Sequence, residues 1–400
     1  MARETITAFR TWFWRPPRAH GEIEPERTVS FLELLYDLVY VAVIAQLTAT
    51  LAHDISFQHF VEFAVVFTLI WIAWVNGTLY LELHGRTDGR TRVFVFIQMA
   101  IVAFMAAFAG GAATESGALF AFTYVLFLGV LIWLWNSIRR YDSAQQARLT
   151  LAYVLVEAAM AVAILVSAFL APDLRLTVWA AVCIAWVALI AYLGIRPRTF
   201  SIGVVPTHSM IERFGLFVII CLGELVVEVV QGLAHVEHDL LTIVTAVMAL
   251  GIGLGFWWIY FDIVGRRAPR TEGKAIAVWI LGHLPITLAI AASGAAMVGV
   301  IEHAADPQTP VPVAWLLSGS VALVLIAEVL LVWTLVDAER LKPAYRALVV
   351  GMAVAGLASL LIGLANPAPW LLVATLGTIL TLLWFYTVFK FIRADGWPPP

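Results

Sequence analysis

The sequence predicts an all-α polytopic membrane protein of about 12 transmembrane helices, arranged as two parallel six-helix repeats with a period of about 180 residues. Three observations support this prediction. Hydrophobic residues make up 62% of the chain and charged residues 13%, against roughly 25% charged residues in a soluble domain. Twelve apolar runs follow one another, and the polar residues between them alternate between a strongly basic and a nearly uncharged group of loops. A short polar motif also recurs after 180 residues.

Each of the twelve runs is long enough to cross a bilayer, which takes about 20 mostly apolar residues. The predicted spans are 31–52, 57–83, 91–111, 117–138, 149–170, 176–195, 209–232, 239–264, 274–301, 312–336, 345–365 and 369–392. Thirty polar and basic residues precede the first span, so the N-terminus does not resemble a cleaved signal peptide. We therefore expect a cytoplasmic basic tail at 1–30, repeats at 31–195 and 209–393, a cytoplasmic linker at 196–208 and a tail at 394–400.

The distribution of positive charge predicts the orientation. If successive spans alternate in direction, all of the 24 Lys and Arg residues except Arg175 fall on the side that carries both termini. We call this the basic side. The positive-inside rule places it in the cytoplasm, so we expect a multi-pass protein of the plasma (inner) membrane with its N- and C-termini inside.

The recurring motif indicates an internal duplication. Residues 80–86 and 260–266 share a tyrosine, an acid, a glycine and an arginine at the same four positions. Six spans per repeat give both copies the same orientation, an arrangement common among transporters. Each copy ends one span and begins the next loop, so its charged residues are candidates for a cytoplasmic gate or, alternatively, for simple interface anchors. These residues are Glu82, Arg86, Asp262 and Arg266.

The first and seventh spans carry an unusual number of polar residues. A charged side chain near the bilayer centre costs about 2.5–3.5 kcal/mol on insertion scales, and such residues usually face a cavity or a partner. In the first span Glu33 and Asp37 are one turn apart, and Thr48 returns to nearly the same face. Because these are the first spans of the two repeats, we predict that they line a substrate or ion pathway. The candidate residues are Glu33, Asp37, Gln46, Thr48, His208, Glu212, Arg213, Glu224 and Glu228.

Glu224 and Glu228 suggest a coupling ion. They are four residues apart on one helical face, and two carboxylates this close in a low dielectric repel each other, so one is expected to hold a proton. This arrangement suits a proton-coupled carrier. The alternative is that these acids are interhelical hydrogen-bond partners, neutral or paired with Arg213 or His208.

The sequence contains no recognisable motif for a disulfide framework, a metal site or an enzyme active site. Cys183 and Cys221 lie within spans and form no disulfide framework. The histidines lack the dense spacing of a metal site, and no nucleotide-binding or hydrolase motif is found. We therefore expect no metal, no cofactor and no catalytic residue. The expected partners are the lipid bilayer, a small solute and protons, and nucleic acid is not among them.

Two segments resemble a known family. Residues 30–41, followed by Gln46 and Thr48, resemble the opening of the bacterial low temperature requirement A family, with Tyr36 where that family more often has phenylalanine. Residues 208–224 resemble its second signature. The resemblance covers essentially the whole chain and implies a link to growth in the cold, without a settled biochemical activity. It directs attention to Glu33, Asp37, Gln46, His208, Glu212, Arg213, Gly223 and Glu224.

We expect a secondary transporter of an unidentified small solute, with proton coupling through Asp37 and Glu224. One alternative is an intramembrane enzyme acting on a lipid, with acids as general bases assisted by His208 or His283. Another is a membrane regulator without turnover, linked to cold growth. The absence of a nucleophile or metal motif weighs against the enzyme, and the number of intramembrane acids weighs against the regulator.

Overall fold

The computed structural model describes residues 2–22, 27–195, 206–394 and 396–397. This part of the chain is all-helical, with thirteen α-helices, one short 3-10 turn at Val336–Ala338 and no strand. The helices are α1 (Ala2–Phe13), α2 (Phe31–His53), α3 (Phe57–His84), α4 (Gly89–Ala109), α5 (Gly117–Ile138), α6 (Ala144–Ser167), α7 (Pro172–Ile195), α8 (His208–Ala234), α9 (Leu240–Ile263), α10 (Gly273–Glu302), α11 (Val311–Thr334), α12 (Lys342–Ala365) and α13 (Pro369–Arg393).

The twelve predicted spans correspond to α2–α13, which are the helices in the described residues that are long and apolar enough to cross a membrane. The multi-pass membrane architecture is therefore confirmed. The largest difference at a span start is in α6, which begins at Ala144 rather than 149 because Ser143 caps it by accepting a hydrogen bond from the Gln146 amide at 3.4 Å. Residues 196–205 of the predicted linker lie outside the described residues.

Helix caps fix the starts of other spans. The Thr242 amide donates to the Asp239 carboxylate at 2.7 Å before α9. Because this hydrogen bond favours the ionised form, it holds the pKa of Asp239 below its usual value. An equivalent bond joins Asp88 and the Thr91 amide at 2.8 Å before α4. Both are ordinary N-caps that satisfy amides left over at a helix start.

Helix α1 lies within residues 1–30, which the sequence assigns to a tail without predicting a helix there. Its apolar residues Ile6, Phe9 and Phe13 recur at three- and four-residue intervals, which gives the helix one apolar face. Phe13 packs against Gly89 at the start of α4, where a β-carbon would collide with its ring. The side chains of Ile6 and Phe9 are exposed.

The segment after α1 lies against the end of α3. Arg18 and His84 exchange two bonds: the Arg18 amide donates to the His84 carbonyl at 3.2 Å, and His84 Nδ1 donates to the Arg18 carbonyl at 2.7 Å. The His20 ring contacts the Asp142 carboxylate at 2.6 Å. These contacts hold the chain that leads into α2 against α3 and the loop between α5 and α6.

The chain divides into two compact units. Unit 1 contains α1, α2 up to Gln46, α3 from Val65, α4–α6, α7 up to Leu189 and α8 up to Arg213. Within it, α5 packs against both α4 and α6.

Unit 2 contains the remainder of those helices and α9–α13. Within it, α10 packs against α9 and α11, α11 against α12, and α13 against α9 and α12. The spanning part of α10 is 89% buried, the largest buried share among the twelve spans. Helix α10 is therefore the core of this unit.

Candidate functional site

The most buried ion pair in unit 1 joins the first and seventh predicted spans. Arg213 donates to Asp37 through two nitrogens, Nη2 to Oδ1 at 2.5 Å and Nε to Oδ2 at 3.1 Å. The indole of Trp74, on α3, donates to the same carboxylate at 2.8 Å. Arg213 is 0% exposed and Asp37 1%. A bidentate guanidinium–carboxylate contact of this kind fixes both side chains in one geometry.

A second acid lies one turn before Asp37. Glu33 forms a capping box with Ser30: the Ser30 amide and hydroxyl donate to Glu33 Oε2 at 3.0 and 2.9 Å, and the Glu33 amide donates to Ser30 Oγ at 3.3 Å. Its other oxygen, Oε1, accepts a hydrogen bond from Arg27 and lies 3.8 Å from Arg213 Nη1. Glu33 therefore links the cap of α2 to both arginines.

Arg27 extends the cluster to α3 and α8. Its Nη1 donates to Glu82 and, at 3.1 Å, to the Ser209 hydroxyl. Glu82 also accepts from Ser209 at 2.7 Å and from Thr207 at 2.6 Å. The residue before α2, the end of α3 and the start of α8 are thus joined by one carboxylate. We call Arg27, Glu33, Asp37, Glu82 and Arg213, with their hydroxyl partners, the charge cluster.

The charge cluster is not balanced internally. Its ion pairs contain three carboxylates and two guanidinium groups. If all five groups were ionised, these ion pairs would carry one excess negative charge. The buried Arg18 guanidinium lies beside them, donating to the backbone carbonyls of Leu81 and Glu82 at 3.3 and 2.5 Å. Because an unpaired buried charge is costly, this further cation offsets part of the excess.

The wall beside the ion pair is rigid and aromatic. The Arg213 guanidinium lies 5.7 Å from the centre of the Tyr36 ring, and the Tyr36 and Tyr40 hydroxyls are 2.9 Å apart. Position 77 on α3 must be glycine for this arrangement, since a β-carbon there would collide with the Tyr36 hydroxyl. Close packing of this kind keeps Arg213 in place.

A separate polar cluster lies in unit 2. The Thr48 hydroxyl, on α2, donates to Glu224 Oε1 on α8 at 3.2 Å. Glu228 is one turn further along α8, and both acids are buried. In the described residues no arginine, lysine or histidine forms an ion pair with either acid. We call Thr48, Glu224 and Glu228 the acid pair site.

Helix α10 packs closely behind the acid pair site. A β-carbon on Gly294 would lie 3.1 Å from the Leu225 backbone and 3.4 Å from Glu228 Cγ. The small residue at this position allows α8 and α10 to approach each other. The Glu228 side chain is therefore packed on one side against the most buried helix of the unit.

Three predicted pathway residues lie outside these clusters. Gln46, His208 and Glu212 are exposed. His208 is the first residue of α8, so it is helical and four residues before Glu212, as expected for a shared face. Their roles stay predictions.

The predicted gate residues have unlike partners. Arg86 pairs with Glu22 at 2.8 Å rather than with Glu82. Asp262 accepts a hydrogen bond from the indole of Trp384 at 2.7 Å, and Arg266 is exposed. The two copies of the motif are therefore not used in the same way, and Glu82 is the one that belongs to a charged cluster.

Sequence reasoning missed several members of the charge cluster. Arg27 counts in the sequence only as one of the basic residues of the tail, and its position three residues before the capping serine is the available signal. Trp74 has no distinguishing pattern in a span rich in aromatic residues. Thr207 and Ser209 flank His208, the first residue of α8. Hydroxyls are expected as caps at a helix start, and the Met210 amide donates to Thr207 Oγ1 at 3.1 Å.

Other buried polar residues form isolated contacts. Asn76 donates to Glu157 at 3.0 Å in unit 1, and the Tyr260 hydroxyl lies 2.9 Å from His283 Nε2 in unit 2. Glu328 on α11 is fully buried, and neither of its carboxylate oxygens has a hydrogen bond. Within the described residues no group of three His, Cys, Asp or Glu side chains could hold a metal ion.

The sequence was compared with known proteins and with solved structures. A protein of Rhizobium meliloti (strain 1021), described as "Uncharacterized protein RA0937", is 27% identical over 280 residues, which are 64% of this chain and 66% of that protein. The chain thus spans just under two thirds of the length of this relative. No solved structure matches.

The family comparison covers both clusters. Residues 28–381 match the family "Bacterial low temperature requirement A protein (LtrA)". The match includes every member of the acid pair site and every member of the charge cluster except Arg27, which lies one residue before its start. The protein therefore belongs to the bacterial low temperature requirement A family.

Proposed function

We propose that the protein is a secondary transporter of a small solute, coupled to protons, with α2 and α8 lining its pathway. It lies in the plasma membrane with both termini in the cytoplasm. The observation that carries this proposal is the charge cluster: three carboxylates and one guanidinium group held within membrane helices, with the Arg27 guanidinium directly before the first of them. Groups this costly to bury are typical of substrate and ion pathways.

Two polar atoms are available for a solute. Arg213 Nη1, in the charge cluster, is buried and has no hydrogen bond, since its nearest carboxylate oxygen on Glu33 is 3.8 Å away. Glu224 Oε2, in the acid pair site, is also buried without a hydrogen bond. Because a buried polar group without a partner costs free energy, each atom favours a ligand that supplies the missing bond. Arg213 would bind an acceptor, and Glu224 would bind a donor or a proton.

The excess carboxylates provide the coupling. The charge cluster carries one negative charge that its own arginines do not neutralise, and Glu224 and Glu228 form no ion pair with any described residue. Uptake of a proton at Glu224 removes the cost of an unpaired charge. We assign the coupling to Asp37 and Glu224 because each joins α2 to α8 within its cluster, and a proton on Asp37 would release Arg213 to bind the solute.

The internal duplication is part of the proposal. The α2–α8 contacts in the two clusters both join residues 176 apart, close to the 180-residue period, as expected if corresponding helices pack against each other. Arg90 and Arg270, which are 180 apart, each lie over a tryptophan in the fourth span of their half, at 5.5 Å from the Trp133 ring and 5.0 Å from the Trp333 ring. These parallels support a duplicated transporter.

The Arg27–Glu82 contact is suited to a gate on the basic side. It joins the segment before α2 to the end of α3, and through Ser209 to the start of α8. Opening a path there requires these bonds to break together. We therefore assign Glu82 as the gate residue and treat Asp262, with its single indole partner, as a structural anchor.

Transport can be tested in proteoliposomes on a solid-supported membrane, which records the current that follows a solute jump. The panel contains amino acids, organic acids, sugars and polyamines, each tested with and without an inward proton gradient. Wild type is compared with Asp37→Asn and Glu224→Gln. Asp54→Asn is the matched control, because Asp54 is an exposed acid directly after α2.

We expect at least one solute class to give a current that the proton gradient increases. Asp37→Asn and Glu224→Gln should abolish that increase, and Asp54→Asn should preserve it. A current that is the same in all variants would contradict the assigned roles. Absence of current for the whole panel, together with conversion of membrane lipid in detergent, would favour the enzyme instead.

A further inference from the structure

A groove of about 830 Å³ opens in unit 1 between the start of α2, the end of α3 and the first three turns of α4. Arg27 and Glu33 of the charge cluster border it, but most of its lining belongs to other residues. Its residues change in character along its length. Arginines line the end of the groove at the helix ends, which we call its mouth, and apolar side chains line the part further along the helices: Arg27, Arg86 and Arg92 at the mouth, and Leu35, Phe96 and Met99 further along.

The change in character follows the helix axes. Arg92 is the fourth residue of α4, and Met99 is seven residues further along, which is about 10 Å at 1.5 Å per residue. On α2, Phe31 is the first residue and Leu35 lies one turn deeper. The charged end of the groove therefore lies at the ends of the spans, and the apolar end lies within the membrane region. A ligand that fills it must be amphiphilic.

Arg92 is the cation at the mouth that no carboxylate of the described residues neutralises. Arg27 is bonded to Glu33 and Glu82, and Arg86 to Glu22. Arg92 is exposed and forms no ion pair with any described residue; its guanidinium lies 5.6 Å from the centre of the Trp12 ring. A guanidinium held in this way over an aromatic ring keeps its hydrogen-bond donors available for a phosphate.

The neighbouring helix α1 indicates at which level of the membrane the mouth of the groove lies. Ile6 and Phe9 are 66% and 58% exposed on the apolar face of this amphipathic helix, and Trp12 and Trp14 follow them. Amphipathic helices with such a face lie in the headgroup region, where tryptophan is enriched. Because Trp12 contacts Arg92, the mouth of the groove lies at headgroup level.

From these observations we propose that the groove binds one anionic phospholipid. Arg92 holds the phosphate and an acyl chain lies along Leu35, Phe96 and Met99. The apolar side chains explain why a lipid rather than a soluble anion is bound, and the unpaired guanidinium explains the preference for negative charge. This site is independent of whether the protein transports a solute.

The test uses the full chain in detergent, with dioleoylphosphatidylglycerol or dioleoylphosphatidylcholine added at equal mole fractions. Native mass spectrometry counts the bound lipids, and thermal unfolding reports their effect on stability. The variants are Arg92→Gln, Arg92→Lys and Leu35→Trp. Arg148→Gln is the matched control, because Arg148 is an exposed arginine in the second turn of α6, on the same side and outside the groove.

We expect wild type and Arg148→Gln to prefer phosphatidylglycerol. Arg92→Gln should weaken that binding about tenfold, the value of one charge-assisted hydrogen bond, and Arg92→Lys should restore most of it. Leu35→Trp fills the apolar part and should weaken both lipids. Equal binding of the two lipids to wild type, or an Arg92→Gln variant that matches wild type, would overturn the proposal. Full competition by glycerol phosphate would show that a soluble anion occupies the site.

Discussion

Replacing Asp37 by asparagine tests the central ion pair most directly. The change leaves the volume almost unaltered but removes the charge that Arg213 contacts at 2.5 and 3.1 Å. An asparagine oxygen in place of Oδ1 can still accept from Trp74 and from Arg213 Nη2, as Oδ1 does, but the amide nitrogen in place of Oδ2 cannot accept from Arg213 Nε. Arg213, which is 0% exposed, is then left as a buried cation whose remaining carboxylate neighbour is Glu33 at 3.8 Å.

The size of the effect follows from that geometry. Removing one partner of a buried pair costs about 3–5 kcal/mol, whereas replacing both partners by apolar residues is often neutral. Because Glu33 continues to compensate Arg213 in part, we expect the free energy of unfolding of Asp37→Asn to fall by about 3 kcal/mol, the lower end of that range. The double variant Asp37→Leu/Arg213→Met should be within about 1 kcal/mol of wild type, but inactive in transport.

The assay is equilibrium unfolding in detergent, followed by the fluorescence of the 16 tryptophans. The exposed Asp54→Asn control should change the free energy of unfolding by less than about 0.5 kcal/mol, as most surface substitutions do. If Asp37→Asn also falls within that limit, the Asp37–Arg213 ion pair does not stabilise the fold. A double variant that is as unstable as Asp37→Asn would show that lost packing, not the unpaired arginine, is responsible.

Three further substitutions can be measured in the same assay. Ser30→Ala removes the capping box of α2 and should cost about 1 kcal/mol; no change would show that other contacts hold the helix start. Gly77→Ala places a methyl group against the Tyr36 hydroxyl and should cost about 1–3 kcal/mol, whereas Gly223→Ala, which meets no atom within 4 Å, should cost nothing. Glu328→Gln should leave stability unchanged or raise it by about 1 kcal/mol, because no hydrogen bond to its carboxylate is lost; a loss of about 3 kcal/mol would reveal a partner that neutralises a buried charge.

The spans could be predicted from the sequence because the bilayer imposes both length and composition. Their apolar limits and the helix ends differ by a few residues, since polar first turns such as that of α6 are helical without being apolar. Helix α1 could not be found in this way. It is short and mixes polar with apolar residues, so only the spacing of Ile6, Phe9 and Phe13 indicates it.

The candidate site was predictable in part. The insertion cost of charge was enough to select Glu33, Asp37 and Arg213, because buried charges need partners. It could not decide between Glu212 and Arg213, which are adjacent and differ by about 100° around α8; Arg213 is buried and Glu212 exposed. The insertion cost of charge could not select Arg27, because that residue precedes the first span and contacts Glu82 only in the folded structure.

The ion pair of Asp37 and Arg213 has a consequence for biogenesis. The two residues are 176 positions apart, and chains are synthesised at roughly 5–20 residues per second, so Asp37 exists for about 9–35 s before its partner is made. During that interval five further spans, α3–α7, follow it into the membrane. The aspartate must therefore be carried as a neutral acid or remain in contact with water until α8 arrives. A nascent chain that stalls before Arg213 keeps this carboxylate unmatched, which gives membrane quality control a feature by which to distinguish an unfinished molecule from a finished one.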